Sequence, residues 1–443
     1  MTDPSSSPSD LTPLQRTSGS ASGSASGSRN SSANSNASGR APGRRLLHSP
    51  GPTPLPDAVL QAMLLPPMDM GDPRQDQTIA DCEDGLKQLL GSPQADLFFY
   101  ACNGHGVWEA AVQNLLPPGS SALIPGTGHF SGGWAETTEA LGRAVVHTPW
   151  REGWPIDAAA VAQALAADTE HRIAAVFVVH TDTSSGITSD LAALRAAIDA
   201  SRHPALMVVD GVASFGAEPF AMDQLRVDVA LGASQKGLMC PPGLGFLALN
   251  ERAFAAAEAN PTPRYYWDCV ARKSPLAYRK FCGTPPQIVL SALRAALGLL
   301  QQEGLPQVLA RHRLLRDMVH AAVAGWREGG ALDFFGLDPA SRSSAVTTIT
   351  VPAGTDIDAL RSVAREEFQV SFAGALGPLH GRGFRIGHLG DQNPATMLGC
   401  LGAIEAALLR QGLPIGAGGV QRAAALLAAH GAAGTSTRSG FTG

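Results

Sequence analysis

The central part of the chain alternates short apolar runs with Ala/Leu-rich stretches, and this alternation constrains the fold most. Between residues 173 and 250, four apolar runs are separated by a helical pattern over 190–200 and by short polar connections; the runs are AAVFVVH, ALMVVD, VDVALG and GFLALN. Apolar runs bounded by turn residues are typical of strands buried on both faces. Strands that alternate with helices predict an α/β fold with a mainly parallel sheet.

The pattern continues on both sides of this region. Two more predicted strands, DLFFYA and SALIPG, precede it, and a long helical pattern over 286–326 follows it. Beyond that helix come VTTITV, a helix near 357–368, strands around FQVSFA and FRIGHLG, and a last helix that runs through Leu409. We therefore expect a large domain at 46–325, whose first residues, 46–70, form an arm, and a small α/β domain at 326–412.

Both ends of the chain differ in composition from the centre. Residues 1–45 are rich in Ser, Gly and Asn and contain few large apolar groups, so they are predicted to be disordered. An organelle transit peptide is the alternative, but Asp3, Asp10 and the lack of an amphipathic stripe argue against it. Residues 413–443 form an Ala/Gly-rich tail, and the pattern leaves open whether its stretch VQRAAALLAAH docks as a helix.

Charge and cysteine content exclude several classes of function. A net charge of -5 and a pI near 6.2, without a long basic run, predict no nucleic-acid or membrane-surface partner. No apolar run reaches the roughly 18 to 20 residues of a membrane helix. The six cysteines are scattered without a CxxC pair, which predicts no metal site, no disulfide framework and a cytoplasmic protein with reduced thiols. Chemistry on a small molecule is the remaining expectation.

Asp210 and Lys236 follow two predicted strands, ALMVVD and VDVALG. Side chains just past the carboxyl ends of parallel strands line the ligand crevice of such sheets. An ion pair would be the ordinary interpretation of an Asp and a Lys, but small polar residues surround the lysine at 234–237 and a Pro-Pro-Gly turn follows at 241–243. A pyridoxal-phosphate (PLP) enzyme needs both groups, because its lysine binds the aldehyde and a carboxylate keeps the pyridine nitrogen protonated.

Six segments in one order extend this interpretation. They are LLHSPGPTPLP at 46–56, NGHGVWEAA at 103–111, TDTSSG at 181–186, the Asp210 and Lys236 segments, GTPPQ at 283–287 and FRIGHLGD at 384–391. From residue 46 to 409 the chain resembles the class-V aminotransferases of fold type I, and more narrowly the serine/alanine–glyoxylate aminotransferase group. The resemblance implies PLP as cofactor and a large domain with a mainly parallel seven-stranded sheet beside a small C-terminal α/β domain.

The resemblance also implies roles for residues before Asp210. Asn103, Gly104 and His105 match the turn that binds the cofactor phosphate at a helix start, with Asn103 where relatives carry Ser or Thr. As a free-standing glycine pattern this would be an ordinary turn. Phe130 matches the aromatic ring that stacks on the pyridine face. Thr183 matches a hydroxyl donor to the cofactor O3′.

Further cofactor contacts follow from the same resemblance. Val212 and Gln235 belong to the cofactor-binding set, Gln235 through the phosphate. Thr284 lies in a segment that reaches the partner's phosphate across a dimer interface, which predicts a homodimer with shared active sites. Phe281 stands where relatives have a tyrosine, and the lost hydroxyl is expected to weaken cofactor binding by about 1 kcal/mol.

Arg385 is the residue expected to bind the α-carboxylate of the substrate. A guanidinium offers two parallel donors to a carboxylate, and the flanking Phe384 and Ile386 argue for partial burial. His388 and Asp391 lie nearby in the sequence and are weighed as residues that tune substrate choice. His180 is interpreted as a structural histidine with satisfied hydrogen bonds.

The predicted reaction is transamination between a small amino acid, serine or alanine, and a 2-oxo acid, glyoxylate or pyruvate, with Lys236 and Asp210 as catalytic residues. A lyase or cysteine desulfurase on the same fold is one alternative, but desulfurases usually carry a histidine where Gln235 precedes the lysine. A catalytically silent binding protein of the same fold is the other. Dinucleotide binding is disfavoured because NGHG is not a GxGxxG motif.

Overall fold

The computed structural model describes the backbone of residues 43–435 and the side chains up to residue 430. All but the last three residues of the predicted N-terminal tail, 1–45, lie outside this range, as do residues 436–443. None of the helices in the described range is both long and apolar enough to span a membrane.

The described strands form two main sheets and one short hairpin. In chain order the strands are β1 (Leu46–His48), β2 (Asp96–Tyr100), β3 (Ser121–Pro125), β4 (Ala144–Thr148), β5 (Ile173–Val179), β6 (Thr181–Asp182), β7 (Ile187–Thr188), β8 (Leu206–Asp210), β9 (Val229–Ala233), β10 (Gly245–Leu249), β11 (Asp333–Phe334), β12 (Val346–Thr350), β13 (Val370–Gly374) and β14 (Gly383–Gly387).

Helices alternate with these strands along most of the described range. They are α1 (Asp57–Met63), α2 (Pro73–Leu90), α3 (Gly104–Leu115), α4 (His129–Ala140), α5 (Ala158–Ala167), α6 (Leu191–Ser201), α7 (Glu251–Ala259), α8 (Cys269–Arg272), α9 (Ala277–Lys280), α10 (Gln287–Glu303), α11 (Leu305–Trp326), α12 (Ile357–Glu367), α13 (Pro394–Arg410) and α14 (Gly419–Thr435).

The larger sheet has seven strands in the order β2-β10-β9-β8-β5-β3-β4, as predicted. Only β10 runs antiparallel to its neighbours. Alternate residues of β5 enter two separate hydrophobic cores: Val176 and Val178 pack on one face, and Ala175, Phe177 and Val179 on the other. Because both faces are covered by helices, the buried strands read as continuous apolar runs in the sequence.

The smaller sheet has the order β1-β13-β14-β12-β11. Its first strand differs from the expectation, which placed residues 46–70 in an arm of the large domain: β1 pairs in parallel with β13, and Leu46 lies opposite Val370. The boundary predicted between residues 325 and 326 stays a prediction, because the described residues from 44 onward form one compact unit.

The C-terminal stretch left open by the sequence is a docked helix. Helix α14 packs on α11, and the contact is so close that a side chain on Gly419 would overlap the indole of Trp326. The carboxylate of Glu405 joins them, because Oε2 accepts hydrogen bonds from Nε1 of Trp326 at 2.7 Å and from the amide of Val420 at 3.0 Å. Ala423 is fully buried in the same core. Small residues allow this approach, which explains the Ala/Gly-rich composition.

Candidate functional site

A cavity of about 300 Å³ opens where β8 and β9 end at their carboxyl edges. The N-terminal segment around Gly51, the start of α3, the start of α4 and the turn after β9 also line it. Nine of the predicted site residues meet in its wall: Asn103, Gly104, His105, Phe130, Thr183, Asp210, Val212, Gln235 and Lys236. The strand-end rule thus brings residues from distant parts of the chain to one place.

Asp210 is the last residue of β8, and its carboxylate is buried. Its Oδ1 accepts a hydrogen bond from the amide of Val212 at 2.7 Å, and its Oδ2 accepts one from Nε1 of Trp108 at 2.8 Å. Burial raises the pKa of Asp210 to about 6, and the two hydrogen bonds act in the opposite direction. A cationic group in the cavity would therefore stabilise the ionised form of this carboxylate.

Lys236 follows β9 and extends toward the N-terminal segment. Its Nζ donates a hydrogen bond to the carbonyl of Pro50, and a Cβ on Gly51 would lie within 2.5 Å of the lysine side chain. Thr53 fixes this segment from the other side, because its hydroxyl donates to the carbonyl of Lys236 at 3.0 Å. Burial lowers the pKa of Lys236 to about 8, and the nearby Arg385 adds to the effect. With this pKa about a tenth of the amine is neutral at pH 7.

The start of α3 presents hydrogen-bond donors to the cavity. Oδ1 of Asn103 accepts from the amides of His105 and Gly106 at 3.1 and 3.4 Å, which directs the carbonyl end of this side chain at the helix. The amide of Gly104 and Nδ2 of Asn103 make no hydrogen bond to the described part of the chain. Oε1 of Gln235, an acceptor, is buried without a partner among the described residues, so it is not one of these donors. An anion at this helix start would meet free donors.

Asp182 is a site residue that the sequence analysis missed. Its buried carboxylate accepts hydrogen bonds from the amide of Phe130 at 3.0 Å and from the hydroxyl of Thr127 at 3.1 Å. Its second oxygen accepts from the amide of Ser184 at 2.9 Å. These bonds fix the start of α4, and with it Phe130, against the cavity. The residue lies in the motif TDTSSG, but the resemblance assigned a role only to Thr183 of that motif.

Trp108 is a second missed residue of the cavity wall. Besides its bond to Asp210, its ring lies 4.6 Å from that of His105 and stacks at 5.7 Å on Trp134. A buried Trp usually donates its N–H to an acceptor, and this rule alone could have marked Trp108 as a candidate from the sequence. The acceptor itself lies 102 residues away in the sequence, so the pairing needs the fold.

Arg385 lies on β14, outside the wall of this cavity but next to it. The guanidinium is buried; Nε donates to the carbonyl of Gly374 at 2.8 Å, and Nη1 donates to the carbonyl of Thr183 at 2.9 Å. Nη2 makes no hydrogen bond to the residues that the structure describes. Because Thr183 lines the cavity, the arginine is tied to its edge. Its role as carboxylate receptor stays a prediction.

Five other residues named from the sequence do not line the cavity. Thr284 is exposed and does not line the cavity, and Phe281 is a core residue whose ring stacks at 5.8 Å on Phe99. His388 is fully buried and both ring nitrogens are hydrogen-bonded, to Ser344 and Thr347, so it is a structural residue rather than one that faces substrate.

His180 behaves as expected for a structural residue. It is buried, and its Nδ1 lies 2.8 Å from the hydroxyl of Ser214. Asp391 is exposed and does not line the cavity. His388 and Asp391, the two residues weighed for substrate choice, therefore both lie outside the cavity wall.

A sequence model of the family described as aminotransferase class-V matches residues 45–375. The chain belongs to the class-V aminotransferases. This aminotransferase has the fold type I architecture and uses PLP, as the resemblance implied.

Individual relatives extend over most of the chain. An L-aspartate–glyoxylate aminotransferase of Paracoccus denitrificans is 37% identical over 368 residues, which covers 83% of this chain and 91% of the relative. A serine–glyoxylate aminotransferase of Methylorubrum extorquens is 36% identical over 392 residues, covering 87% and 96%. The solved structure of a ureidoglycine–glyoxylate aminotransferase from Bacillus subtilis has a TM-score of 0.80 at 26% identity and covers 88% of this chain and 99% of that one.

The cavity of the aminotransferase fits PLP on its own chemistry. A primary amine with a lowered pKa and a buried carboxylate face the same space, as an aldehyde and a pyridine nitrogen require. The free donors at the start of α3 suit a phosphate, whereas the unpartnered Oε1 of Gln235 is an acceptor and calls for a donor instead of an anion. Phe130 provides an aromatic face in the same wall.

Proposed function

We propose that this aminotransferase transfers the amino group of a small amino acid, serine or alanine, to glyoxylate, with pyruvate as the second candidate acceptor. The observation that carries the proposal is the meeting of Lys236 and Asp210 in one buried cavity, with Arg385 at its edge. The relatives support glyoxylate, because their names share this acceptor while their amino donors differ.

The chain's own residues divide the work as follows. When bound, PLP supplies an aldehyde and a ring that withdraws electrons from the substrate Cα. Lys236 would hold the cofactor covalently and, once displaced, would move the proton at Cα, a task suited to an amine whose pKa is about 8. Asp210 would hold positive charge at the ring nitrogen. The bonds from Trp108 and Val212 orient that carboxylate.

Arg385 would bind the substrate α-carboxylate. Two of its nitrogens are held by main-chain carbonyls, so the planar group is oriented before substrate arrives. The remaining nitrogen, Nη2, makes no hydrogen bond to the described chain and is the donor left for a carboxylate. The burial of the guanidinium strengthens its attraction for an anion.

A homodimer is part of the proposal. Thr284 cannot serve the cavity of its own chain, but its surroundings suit an interface. Met70 contacts Thr284, and exposed apolar side chains lie at the end of α1 and on α10, two helices that pack together: Leu64, Leu65 and Ile288 are 83%, 59% and 46% exposed. Apolar surface of this kind favours a protein partner. In that dimer Thr284 would reach the partner's phosphate site, as the resemblance implies.

Thiol chemistry finds little support in the surroundings of the cavity. Cys102, next to the cavity residue Asn103, has its pKa raised to about 12 by burial, which keeps it protonated. The desulfurase alternative needs a reactive thiolate, and it is not favoured by the relatives either. The cytoplasmic location expected from the cysteines stays a prediction.

The experiment mixes PLP-saturated enzyme with one amino acid at a time, without an acceptor, and follows the visible absorbance of the lysine-bound cofactor. We expect serine or alanine to bleach it fastest, and glyoxylate to restore it faster than pyruvate. Aspartate belongs in the panel because one relative is named for it. The proposal fails if none of these amino acids changes the absorbance, and its donor assignment fails if aspartate is faster than both.

A further inference from the structure

A second cavity, of about 250 Å³, lies against the edge strand β2 of the larger sheet. Its wall is built from the last turns of α2, from residues 96–99 of β2 and from the segment 272–280. It shares no lining residue with the PLP cavity, and the proposed transamination does not use it.

The charged groups of this wall do not balance. Two of the lysines are paired: Nζ of Lys273 lies 2.8 Å from Oδ2 of Asp96, and Lys280 forms an ion pair with Glu83. Two more cations, Lys87 and Arg272, line the same cavity. With four cations against two carboxylates, the wall carries two unmatched positive charges.

Arg272 is the decisive residue, because it is buried without a partner. It exposes only 9% of its surface, and its Nε is buried with no hydrogen-bond partner among the described residues. Its Nη1 and Nη2 make no hydrogen bond or ion pair within that range, and unlike Nε they are open to solvent at the cavity. The ring of Tyr265 lies 6.0 Å from Cζ, at the limit of a cation–π contact. A largely buried charge is costly unless it is paired, so the guanidinium offers its free donors to an anion.

Lys87 points to the same conclusion. It lies in the last turn of α2, where a cation is favoured by the helix dipole, yet its ammonium forms no ion pair with any described residue. A compact ammonium group and a planar guanidinium in one wall can bind different oxygens of the same anion.

We propose that this cavity is a binding site for a small divalent oxyanion, either a phosphate or a dicarboxylate. Arg272 supplies a two-pronged contact and Lys87 a point charge, while Lys273 and Lys280 are held by their own carboxylates. The ligand brings the negative charge that the wall lacks.

The test is calorimetric titration of the PLP-saturated enzyme, in which the cofactor's own phosphate site is filled. Inorganic phosphate and succinate are the two probes, and the one that binds identifies the source of the oxyanion. Arg272→Gln is expected to weaken that binding at least about tenfold, since charge-assisted bonds to a buried guanidinium are lost. Arg313→Gln is the matched control, because Arg313 is exposed and does not line this cavity. This variant should bind the probe as tightly as the parent enzyme does.

Several outcomes would overturn the proposal. It fails if the parent enzyme binds neither probe, or if Arg272→Gln binds as tightly as the parent. If neither probe binds the parent, sedimentation velocity of Arg272→Gln shows why: dissociation of the oligomer would mean that a second copy of the chain neutralises the arginine. Should Arg272→Gln not fold, Lys87→Gln replaces it, with an expected loss of several-fold and an unchanged affinity as the contradicting result.

Discussion

The indole N–H of Trp108 donates a hydrogen bond of 2.8 Å to Oδ2 of Asp210. Trp108 lies in the first turns of α3, and Asp210 is the last residue of β8. The contact therefore joins two elements that line the PLP cavity. Hydrogen bonds to an ionised carboxylate stabilise its charged form. Trp108 is thus a positioning residue for Asp210.

Trp108→Phe should raise the pKa of Asp210 by about one unit, since a hydrogen bond to a charged group contributes roughly 1.5 kcal/mol or more. Binding of PLP needs the ionised carboxylate, so its affinity should begin to fall at a higher pH than in the parent. The measurement is the PLP dissociation constant from pH 5 to 8. Trp134→Phe is the control, because the indole N–H of Trp134 has no described partner. Identical pH profiles for all three proteins would remove Trp108 from this role.

Arg385→Lys keeps the charge but loses the planar fork and its bonds to Gly374 and Thr183. We expect kcat/KM for amino donors to fall at least about tenfold, while the PLP dissociation constant stays nearly unchanged. Arg382→Lys is the matched control, because that arginine forms an exposed ion pair with Glu152. Loss of cofactor with unchanged efficiency at saturating PLP would show that Arg385 does not bind substrate.

Gly419→Ala tests the docking of α14. A Cβ at this position would lie 2.3 Å from Nε1 of Trp326 and 2.9 Å from the carbonyl of Ala322, so the substitution should lower the free energy of unfolding by about 1 to 3 kcal/mol. Gly402→Ala within α13 meets no atom within 4 Å and should be neutral or slightly stabilising. Equal unfolding free energies for both variants in urea titrations would mean that α14 is not docked there.

Three buried histidines predict loss of stability in mild acid. Burial lowers the pKa of His48, His180 and His312 to about 4 from an ordinary 6.5. The unfolded chain therefore binds more protons below pH 6.5, and stability falls as the pH drops toward 4, by about 2 kcal/mol per histidine at pH 5.

Asp210 acts in the opposite direction in the cofactor-free protein, because its pKa is raised to about 6 and the folded state takes up its proton first; its gain is about 1 kcal/mol at pH 5. The net prediction is a decrease of several kcal/mol between pH 7 and pH 5. Urea unfolding of cofactor-free protein at the two pH values measures it, and a constant free energy would contradict the assignment of neutral buried histidines.

The sequence predicted the strands with continuous apolar runs, the edge strand β2 included, and missed the edge strands β4 and β1. Six of the seven strands in the large sheet appear as apolar runs, whereas β4 lies at the edge, is partly exposed and has no such run. β1 was missed as a strand because its partner, β13, follows more than 300 residues later and only the fold brings them together. The contrast follows from burial, since only fully covered strands need continuous apolar residues.

The site shows the same division between local and distant information. Asp210 and Lys236 could be predicted because each follows its own strand, and a local pattern marks both positions. Trp108 and Asp182 could not, because the groups that they bind lie 102 and 52 residues away. Phe281 was assigned from the resemblance, and its burial against Phe99 became visible only in the structure.

The most direct test of the account is the turnover of Lys236→Ala with serine and glyoxylate at saturating PLP. The side chain is partly exposed to the cavity and donates only to the carbonyl of Pro50, so its removal should leave the melting temperature and the circular dichroism spectrum near those of the parent. The account predicts no turnover above the rate without enzyme, because the amine that holds the cofactor and moves the Cα proton is gone. A folded Lys236→Ala enzyme whose rate lies within tenfold of the parent would contradict it.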